Sequence, residues 1–159
     1  MATELQPGDH APDVTLTTPD GGTLSLASLR GRPFVLYFYP KDDTSGCTRE
    51  AKDFTALKPE FDRADVPVIG VSKDPPAKHV KFAAKYDLTV SLVSDEDGSV
   101  CEAFGTWVQK SLYGRKYMGI DRATFLIDAE GRIVRIWRKV KVPGHAEEVL
   151  AAAGALAVA

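Results

Sequence analysis

Cys47 occupies a position at which a cysteine thiol can become a nucleophile. It closes the spacing Pro40-x-x-x-Thr44-x-x-Cys47 and stands between an aromatic, apolar run and a helical pattern. The positive end of a helix favours a thiolate, and so does a nearby arginine. The Thr44 hydroxyl can donate one hydrogen bond and accept another, while Gly46 lets the backbone turn tightly beside the sulfur. From spacing alone, a reactive thiol and a small buried cysteine are equally good interpretations.

Other reactive or metal-binding side chains are scarce in this sequence. The chain has two cysteines and three histidines. Two cysteines form neither a disulfide scaffold nor a cysteine-rich zinc site. His10, His79 and His145 stand at no ligand spacing relative to the cysteines, so we expect no metal site. The choice that matters is therefore whether Cys47 and Cys101 are reactive thiols or buried apolar residues.

Length and composition favour a single domain spanning residues 1–159. The chain is 44% hydrophobic and 26% charged, close to the average of globular domains. With 20 Lys and Arg against 22 Asp and Glu, the net charge of −2 lacks the basic excess of nucleic-acid binders. The apolar stretches are shorter than the roughly 20 residues of a membrane span, and residues 1–13 carry no signal-peptide pattern. We therefore expect a cytoplasmic protein without a nucleic-acid or membrane partner.

Hydrophobic patterns along the chain predict strands that alternate with helices. Strands are predicted at residues 14–17, 23–26, 34–39, 66–71, 90–93, 123–127 and 133–137. Helices are predicted from Cys47 onwards, at residues 77–87 and 99–104, and after Gly144, whereas residues 105–121 are predicted to form a long loop. This order is typical of an α/β fold with a mixed central sheet, helices on both faces and an N-terminal β-hairpin.

The helices next to the predicted site have recognisable apolar faces. The first face consists of Ala51, Phe54, Leu57 and Phe61. The second consists of Val80, Phe82, Ala83 and Tyr86. In α/β sheets, functional sites lie beyond the C-terminal ends of strands, where a loop leads into a helix. The segment 40–47, which begins with a proline that ends a strand, occupies such a place.

Residues 37–48 resemble the peroxidatic-cysteine segment of peroxiredoxins, with the pattern of Pro40, Thr44 and Cys47 intact. Residues 92–98 and 119–128 narrow the resemblance to the peroxiredoxin Q subgroup, also called bacterioferritin comigratory protein. The resemblance extends from about residue 8 to the last helix. It implies a thioredoxin-like α/β sandwich and a thiol-dependent peroxidase that needs no metal, haem or flavin cofactor.

The resemblance also implies a role for each matching residue. The Cys47 thiolate would attack hydrogen peroxide or an organic hydroperoxide and become a sulfenic acid, which a thiol then reduces. Arg122 matches the second arginine of the family's site, through the pattern Gly-Ile-x-Arg, and would hold the thiolate and orient the peroxide. A surface salt bridge is the alternative for Arg122. Arg49, one helical turn from Cys47, is expected to be solvated.

The sequence departs from the family at the positions of the resolving cysteine. Lys52 stands where many members carry that cysteine, residues 77–87 contain none, and Ser45 replaces a common proline. Cys101 shares a predicted helix face with Phe104, which favours a buried thiol over a resolving one. We therefore expect a one-cysteine cycle in a monomer, reduced by an external thiol such as thioredoxin, glutaredoxin or a small molecule.

Two other functions stay open from the sequence. A redox sensor would transmit the oxidation of Cys47 to a partner, and slow turnover with every thiol would favour it. A thioredoxin-like reductase or isomerase would need the Cys-x-x-Cys motif that this chain lacks. The apolar residues of segment 107–118 could form a rim for organic hydroperoxides or for a reductant, but ordinary packing over the sheet is the preferred interpretation.

Overall fold

A computed structural model describes residues 4–158 as a mixed sheet, a separate hairpin and surrounding helices. The strands are β1 (Thr15–Thr17), β2 (Thr23–Ser25), β3 (Phe34–Phe38), β4 (Val68–Ser72), β5 (Ser91–Ser94), β6 (Trp107–Leu112), β7 (Arg115–Ile120), β8 (Ala123–Ile127) and β9 (Ile133–Trp137). The helices are α1 (Ser45–Arg63), α2 (Pro76–Tyr86), α3 (Ser99–Ala103) and α4 (His145–Val158), and a 3₁₀ turn covers Leu26–Leu29.

The central sheet has the strand order β2-β1-β5-β4-β3-β8-β9. Strands β3, β4 and β5 are parallel, whereas the flanking pairs, including the β1–β2 hairpin, are antiparallel. The five residues of β3 are all buried, as expected for a strand covered on both faces. The predicted α/β fold with its mixed sheet and N-terminal hairpin is thereby confirmed.

The sheet separates two hydrophobic cores, and each contains one of the two cysteines. Alternate residues of β3 point to opposite faces, so Tyr37 belongs to one core and Phe38 to the other. Cys47 lies in the first core with residues of α1, α2 and α4. Cys101 lies in the second core with Phe104 and residues of the 3₁₀ turn. The helices thus cover both faces, and the two thiols lie on opposite sides of the sheet.

Segment 105–121 is not the predicted loop, because most of it forms the antiparallel β6–β7 hairpin. Tyr113 and Gly114 both have positive φ angles, 51° and 78°, which suit the two-residue turn of a tight hairpin. The two strands carry no clear alternation of apolar and polar residues, so the hydrophobic pattern did not predict them. Packing over the sheet is confirmed for Trp107, which contacts the second core, but it is wrong for Leu112, Tyr113, Tyr117 and Met118, which are exposed.

The buried face of helix α2 differs from the predicted one at a single position. Val80 was expected inside but is 51% exposed, whereas His79 is completely buried. Phe82, Ala83 and Tyr86 do pack against the core beneath the helix. At 3.6 residues per turn, the position that shares their face is 79 rather than 80. A histidine therefore occupies a place that the hydrophobic pattern assigned to a valine.

Helix α4 begins after Pro143 and Gly144, as predicted, and packs against α1. Its buried side chains include Ala146, Val149 and Ala153, which complete the core around α1. Within residues 4–158, no helix combines the length and apolar character that crossing a membrane requires.

Candidate active site

Cys47 lies in the first turn of α1, where the sequence placed it. The helix begins at Ser45, with Thr44 as the N-cap, so Cys47 is its third residue. The N–H groups of a first helical turn have no partner within the helix, and together they carry partial positive charge. The first turn contains no acidic residue that would neutralise this charge. The Cys47 side chain is therefore in a position that favours its anionic form, although the residue is only 2% exposed.

Arg122, which directly precedes β8, approaches the sulfur from the sheet. Its Nη2 lies 3.3 Å from Cys47 Sγ, and its Nη1 donates to Glu50 Oε1 over 2.7 Å. Cys47 and Glu50 are three residues apart in α1, so both face the same guanidinium group. A Cβ atom at Gly46 would come within 3.2 Å of Nη2. Glycine at this position thus leaves room for the arginine beside the thiol.

Burial and charge act against each other in this group of three side chains. Burial alone would lower the pKa of Arg122, but the negative charges of Glu50 and Cys47 raise that pKa instead. Burial raises the pKa of Glu50 to about 7, and the attraction of Arg122 only partly offsets it. The second carboxylate oxygen, Oε2, has no hydrogen-bond partner among residues 4–158. Glu50 therefore binds the Arg122 guanidinium through a carboxylate whose pKa lies near neutral pH.

Thr44 and Pro40 lie beside this group without touching the sulfur through a hydrogen bond. The Thr44 hydroxyl donates to the carbonyl oxygen of Lys41 over 2.9 Å, within the segment that leads into α1. Its oxygen can still accept a hydrogen bond. Pro40 is half-buried and follows β3 closely, where it ends the strand. The structure thus brings Arg122 to Cys47 directly, while Thr44 and Pro40 shape the adjacent segment.

Comparison with known proteins identifies the family to which the chain belongs. The model of the AhpC/TSA family matches residues 7–136. The chain belongs to the AhpC/TSA family. Peroxiredoxin Bcp of Xanthomonas campestris is 48% identical over 140 residues, covering 88% of each chain. Peroxiredoxin Bcp of Bacillus subtilis is 47% identical over 146 residues, covering 92% of this chain and 93% of that protein.

Solved structures agree with this family and with the thioredoxin-like fold. The bacterioferritin comigratory protein of Xanthomonas campestris, described for its alkyl peroxide reduction activity, superposes with a TM-score of 0.86. It is 46% identical and covers 91% of this chain and 92% of its own. The chain is thus a peroxiredoxin of the Bcp, or peroxiredoxin Q, group, and it is a thiol-dependent peroxidase. Its substrate is a peroxide, and its reductant is a thiol.

The positions at which this peroxiredoxin differs from its family show how the second thiol is placed. Cys101 is completely buried, as predicted, and burial together with Asp95 raises its pKa well above the usual range. Lys52 is exposed and places its ammonium group 4.9 Å from the centre of the Tyr86 ring. Arg49 is solvated, as expected, with only a 3.9 Å contact to Asp53. The second thiol of the chain is thus buried, in a different core from Cys47.

Two residues near the site escaped the sequence analysis. The sequence could have indicated Glu50, because this carboxylate lies three residues after Cys47 and on the same side of the helix as the buried Ala51 and Phe54. His79 was noted only for lacking metal-ligand spacing, although its step to Phe82 marks the buried face of α2. In both cases a polar residue on an apolar face was the informative feature.

Glu50→Gln is expected to change how the stability of the protein depends on pH. Because the pKa of Glu50 rises from 4.5 to about 7 on folding, the folded wild type retains a proton that the unfolded chain loses between these pH values. This carboxyl therefore reduces the free energy of unfolding as pH rises, by up to about 3 kcal/mol. Glutamine cannot ionise, so the variant gains that amount relative to wild type between pH 5 and pH 8. Urea unfolding at both pH values measures the difference, and an equal difference at both would contradict the raised pKa.

Proposed function

We propose that Cys47 is the peroxidatic nucleophile of a one-cysteine cycle, with Arg122, Thr44 and Pro40 completing the site. The observation that carries this proposal is the 3.3 Å contact between Arg122 Nη2 and Cys47 Sγ at the start of a helix. A partly buried arginine that points at a thiol supplies a fixed positive charge where an anion must be held. The sulfur is thereby prepared for nucleophilic attack without assistance from a separate base.

The oxidative half of the cycle is a displacement at oxygen. The Cys47 thiolate attacks the terminal oxygen of a hydroperoxide, so an S–O bond forms while the O–O bond breaks. The sulfur is oxidised to a sulfenic acid that retains the proton of the terminal hydroxyl. The remaining oxygen leaves as an alkoxide or hydroxide and takes up a proton from solvent, giving an alcohol or water.

The reductive half requires two thiol groups from outside the chain. The first attacks the sulfenic sulfur, forms a mixed disulfide with Cys47 and releases water. The second attacks this disulfide, which restores the Cys47 thiolate and leaves the reductant as a disulfide. The cycle thus converts one peroxide and two thiols into an alcohol or water, a second water and one disulfide.

Each neighbouring residue has a distinct role in this proposal. The Arg122 guanidinium holds the thiolate and stabilises the negative charge that develops on the peroxide oxygens as their bond breaks. The Thr44 hydroxyl donates to the Lys41 carbonyl and so presents a lone pair that can accept a hydrogen bond from the hydroxyl of the incoming hydroperoxide. Pro40 fixes the end of β3, which limits the freedom of the segment that carries Thr44.

Both hydrogen peroxide and organic hydroperoxides are proposed as substrates, because a solved relative is described for alkyl peroxide reduction. An external reductant follows from Lys52 and from the burial of Cys101 on the opposite side of the sheet. Thioredoxin or glutaredoxin would supply the two thiols within one protein. A monomeric state, a single domain over the whole chain and a cytoplasmic location stay predictions from the sequence.

Mass spectrometry after one equivalent of peroxide tests the one-cysteine cycle. We expect a sulfenic acid on Cys47, trapped as an adduct by a dimedone-type reagent. Excess peroxide should then produce sulfinic acid, since no disulfide protects the sulfur. Bridged cysteines need Cα atoms within about 7 Å, and the placement of Cys47 and Cys101 in separate cores argues against a disulfide between them. A rapid loss of two mass units that disappears in Cys101→Ser would show instead that Cys101 resolves the sulfenic acid.

A further inference from the structure

A buried polar cluster connects helix α2 with the segment that leads into the active site. His79 Nδ1 lies 2.6 Å from Asp42 Oδ2, and His79 Nε2 lies 3.0 Å from the carbonyl oxygen of Val93 in β5. The Tyr39 hydroxyl donates to the other carboxylate oxygen, Asp42 Oδ1, over 2.5 Å. The side chains of His79 and Asp42 are 0% and 3% exposed. Nothing in the proposed peroxidase cycle makes use of this cluster.

The geometry indicates how many protons the cluster holds. The Val93 carbonyl can only accept, so His79 Nε2 donates to it. Tyr39 lies 3.4 Å from His79 Nδ1 but directs its hydrogen to Asp42, which leaves Nδ1 facing a carboxylate oxygen. Both ring nitrogens thus lie within hydrogen-bond distance of oxygen atoms, and one proton lies between His79 Nδ1 and Asp42 Oδ2. Because both side chains are buried, each depends on the other as a hydrogen-bond partner.

Asp42 is also fixed through its backbone, so this pair holds the polypeptide and not only two side chains. The Asp42 N–H donates to Asp74 Oδ2 over 2.8 Å, and Ser72 Oγ donates to the same oxygen over 2.7 Å. The next residue, Asp43, has a left-handed φ of 59°, a conformation that non-glycine residues adopt only when their surroundings hold them there. Thr44 and the first turn of α1 follow directly.

We propose that His79 is a positioning residue of the peroxidase reaction, acting through Asp42 on the segment that carries Thr44 into α1. The His79 ring fastens this segment to α2 and to β5, which fixes the place of the Thr44 hydroxyl and the start of the helix that presents Cys47. The inference rests on the proposed role of Cys47. It accounts for a polar residue on the buried face of α2, because an apolar side chain there would leave the buried Asp42 without this partner.

Two consequences of releasing this anchor can be measured separately. Displacements of about 1 Å among reacting groups can lower rates roughly 100-fold, so a loosened segment should slow the oxidation of Cys47 by peroxide about 10- to 100-fold. The amides of residues 42–48 should at the same time exchange their hydrogens at least about 10-fold faster, because local opening becomes easier. The amides of β8 should exchange as in the wild type.

The variants His79→Gln and Asp42→Asn each change one partner of this hydrogen bond while retaining a similar shape. Glutamine can bond to Asp42 or to the Val93 carbonyl but lacks the two opposed ring nitrogens with which His79 contacts both. Because the two residues form one pair, the double variant should be no slower than the slower single variant, within about threefold. Lys85→Gln is the matched control. Its ion pair with Asp43 is adjacent but exposed, so its oxidation rate should stay within twofold of wild type.

Stopped-flow oxidation of the reduced proteins and hydrogen exchange, with the Cys47→Ser variant as a blank, decide the matter. Slower oxidation together with faster exchange confined to residues 42–48 supports the positioning role. Wild-type oxidation rates in folded His79→Gln or Asp42→Asn would overturn it, while leaving the proposed function intact. If the wild type itself shows no Cys47-dependent reaction, the proposed function fails instead. Imidazole ¹⁵N spectra of the wild-type protein give a check without substitution, because chemical shifts showing that His79 Nδ1 takes part in no hydrogen bond would overturn the proposal.

Discussion

Replacing Cys47 with serine is expected to lower the rate of peroxide reduction at least about 10⁴-fold while the protein stays folded. A serine hydroxyl remains protonated at neutral pH, so the attacking anion disappears although the size of the side chain hardly changes. The Arg122 guanidinium then faces a neutral oxygen that cannot displace an alkoxide. Consumption of hydrogen peroxide and of an alkyl hydroperoxide, measured with a dithiol reductant, reports the loss, and circular dichroism reports the fold.

Cys101→Ala is the matched control for that experiment. Cys101 lies in the second core, so its removal leaves a small cavity without changing the surroundings of Cys47. The expected loss of stability is about 1 kcal/mol, the loss expected for a group about as large as a methyl. Peroxide reduction should continue at the wild-type rate. Activity that survives in a folded Cys47→Ser protein would contradict the proposed nucleophile, and activity that disappears with Cys101 would contradict the one-cysteine cycle.

The order of strands and helices could be predicted where a strong hydrophobic pattern met a recognisable turn. One example is the apolar run before Pro40, which forms β3. Another is the turn at residues 128–131, which joins β8 to β9. The β6–β7 hairpin could not be predicted in this way, since most of its side chains are exposed on both faces. Its strands are held by main-chain pairing around Tyr113 and Gly114, which leaves little trace in the hydrophobic pattern.

The site was predictable only as far as its motif reached. Cys47 was identified from its local spacing and the family resemblance, and Arg122 from the resemblance alone; the fold brings them together across 75 residues of sequence. Glu50 and His79 lie outside those patterns, and their importance depends on burial, which no single sequence position reveals. A buried carboxylate or imidazole becomes informative once its partners are known, because only then is it clear whether its charge is paired.

Arg122→Ala is expected to slow the oxidation of Cys47 by peroxide about 100- to 1000-fold, the effect of removing about 3 kcal/mol of transition-state stabilisation. The substitution takes away the only guanidinium within hydrogen-bond distance of Cys47 Sγ among the residues the structure describes. It also leaves Glu50 buried without its partner, so part of any change could arise from a less stable fold. Stopped-flow fluorescence on the reduced variant gives the rate, and urea unfolding gives the stability.

The double variant Arg122→Ala/Glu50→Gln separates these two effects. Glutamine removes the unpaired carboxylate, so the free energy of unfolding should recover towards that of Glu50→Gln alone. The oxidation rate should remain as low as in Arg122→Ala, because the charge facing the peroxide oxygens is still missing. The oxidation rate of Arg122→Lys should lie between those of the wild type and Arg122→Ala. Lysine keeps a positive charge but lacks the forked guanidinium that contacts Cys47 and Glu50 together. If oxidation returns to the wild-type rate together with stability in the double variant, then Arg122 supports the fold around Cys47 and takes no part in the reaction.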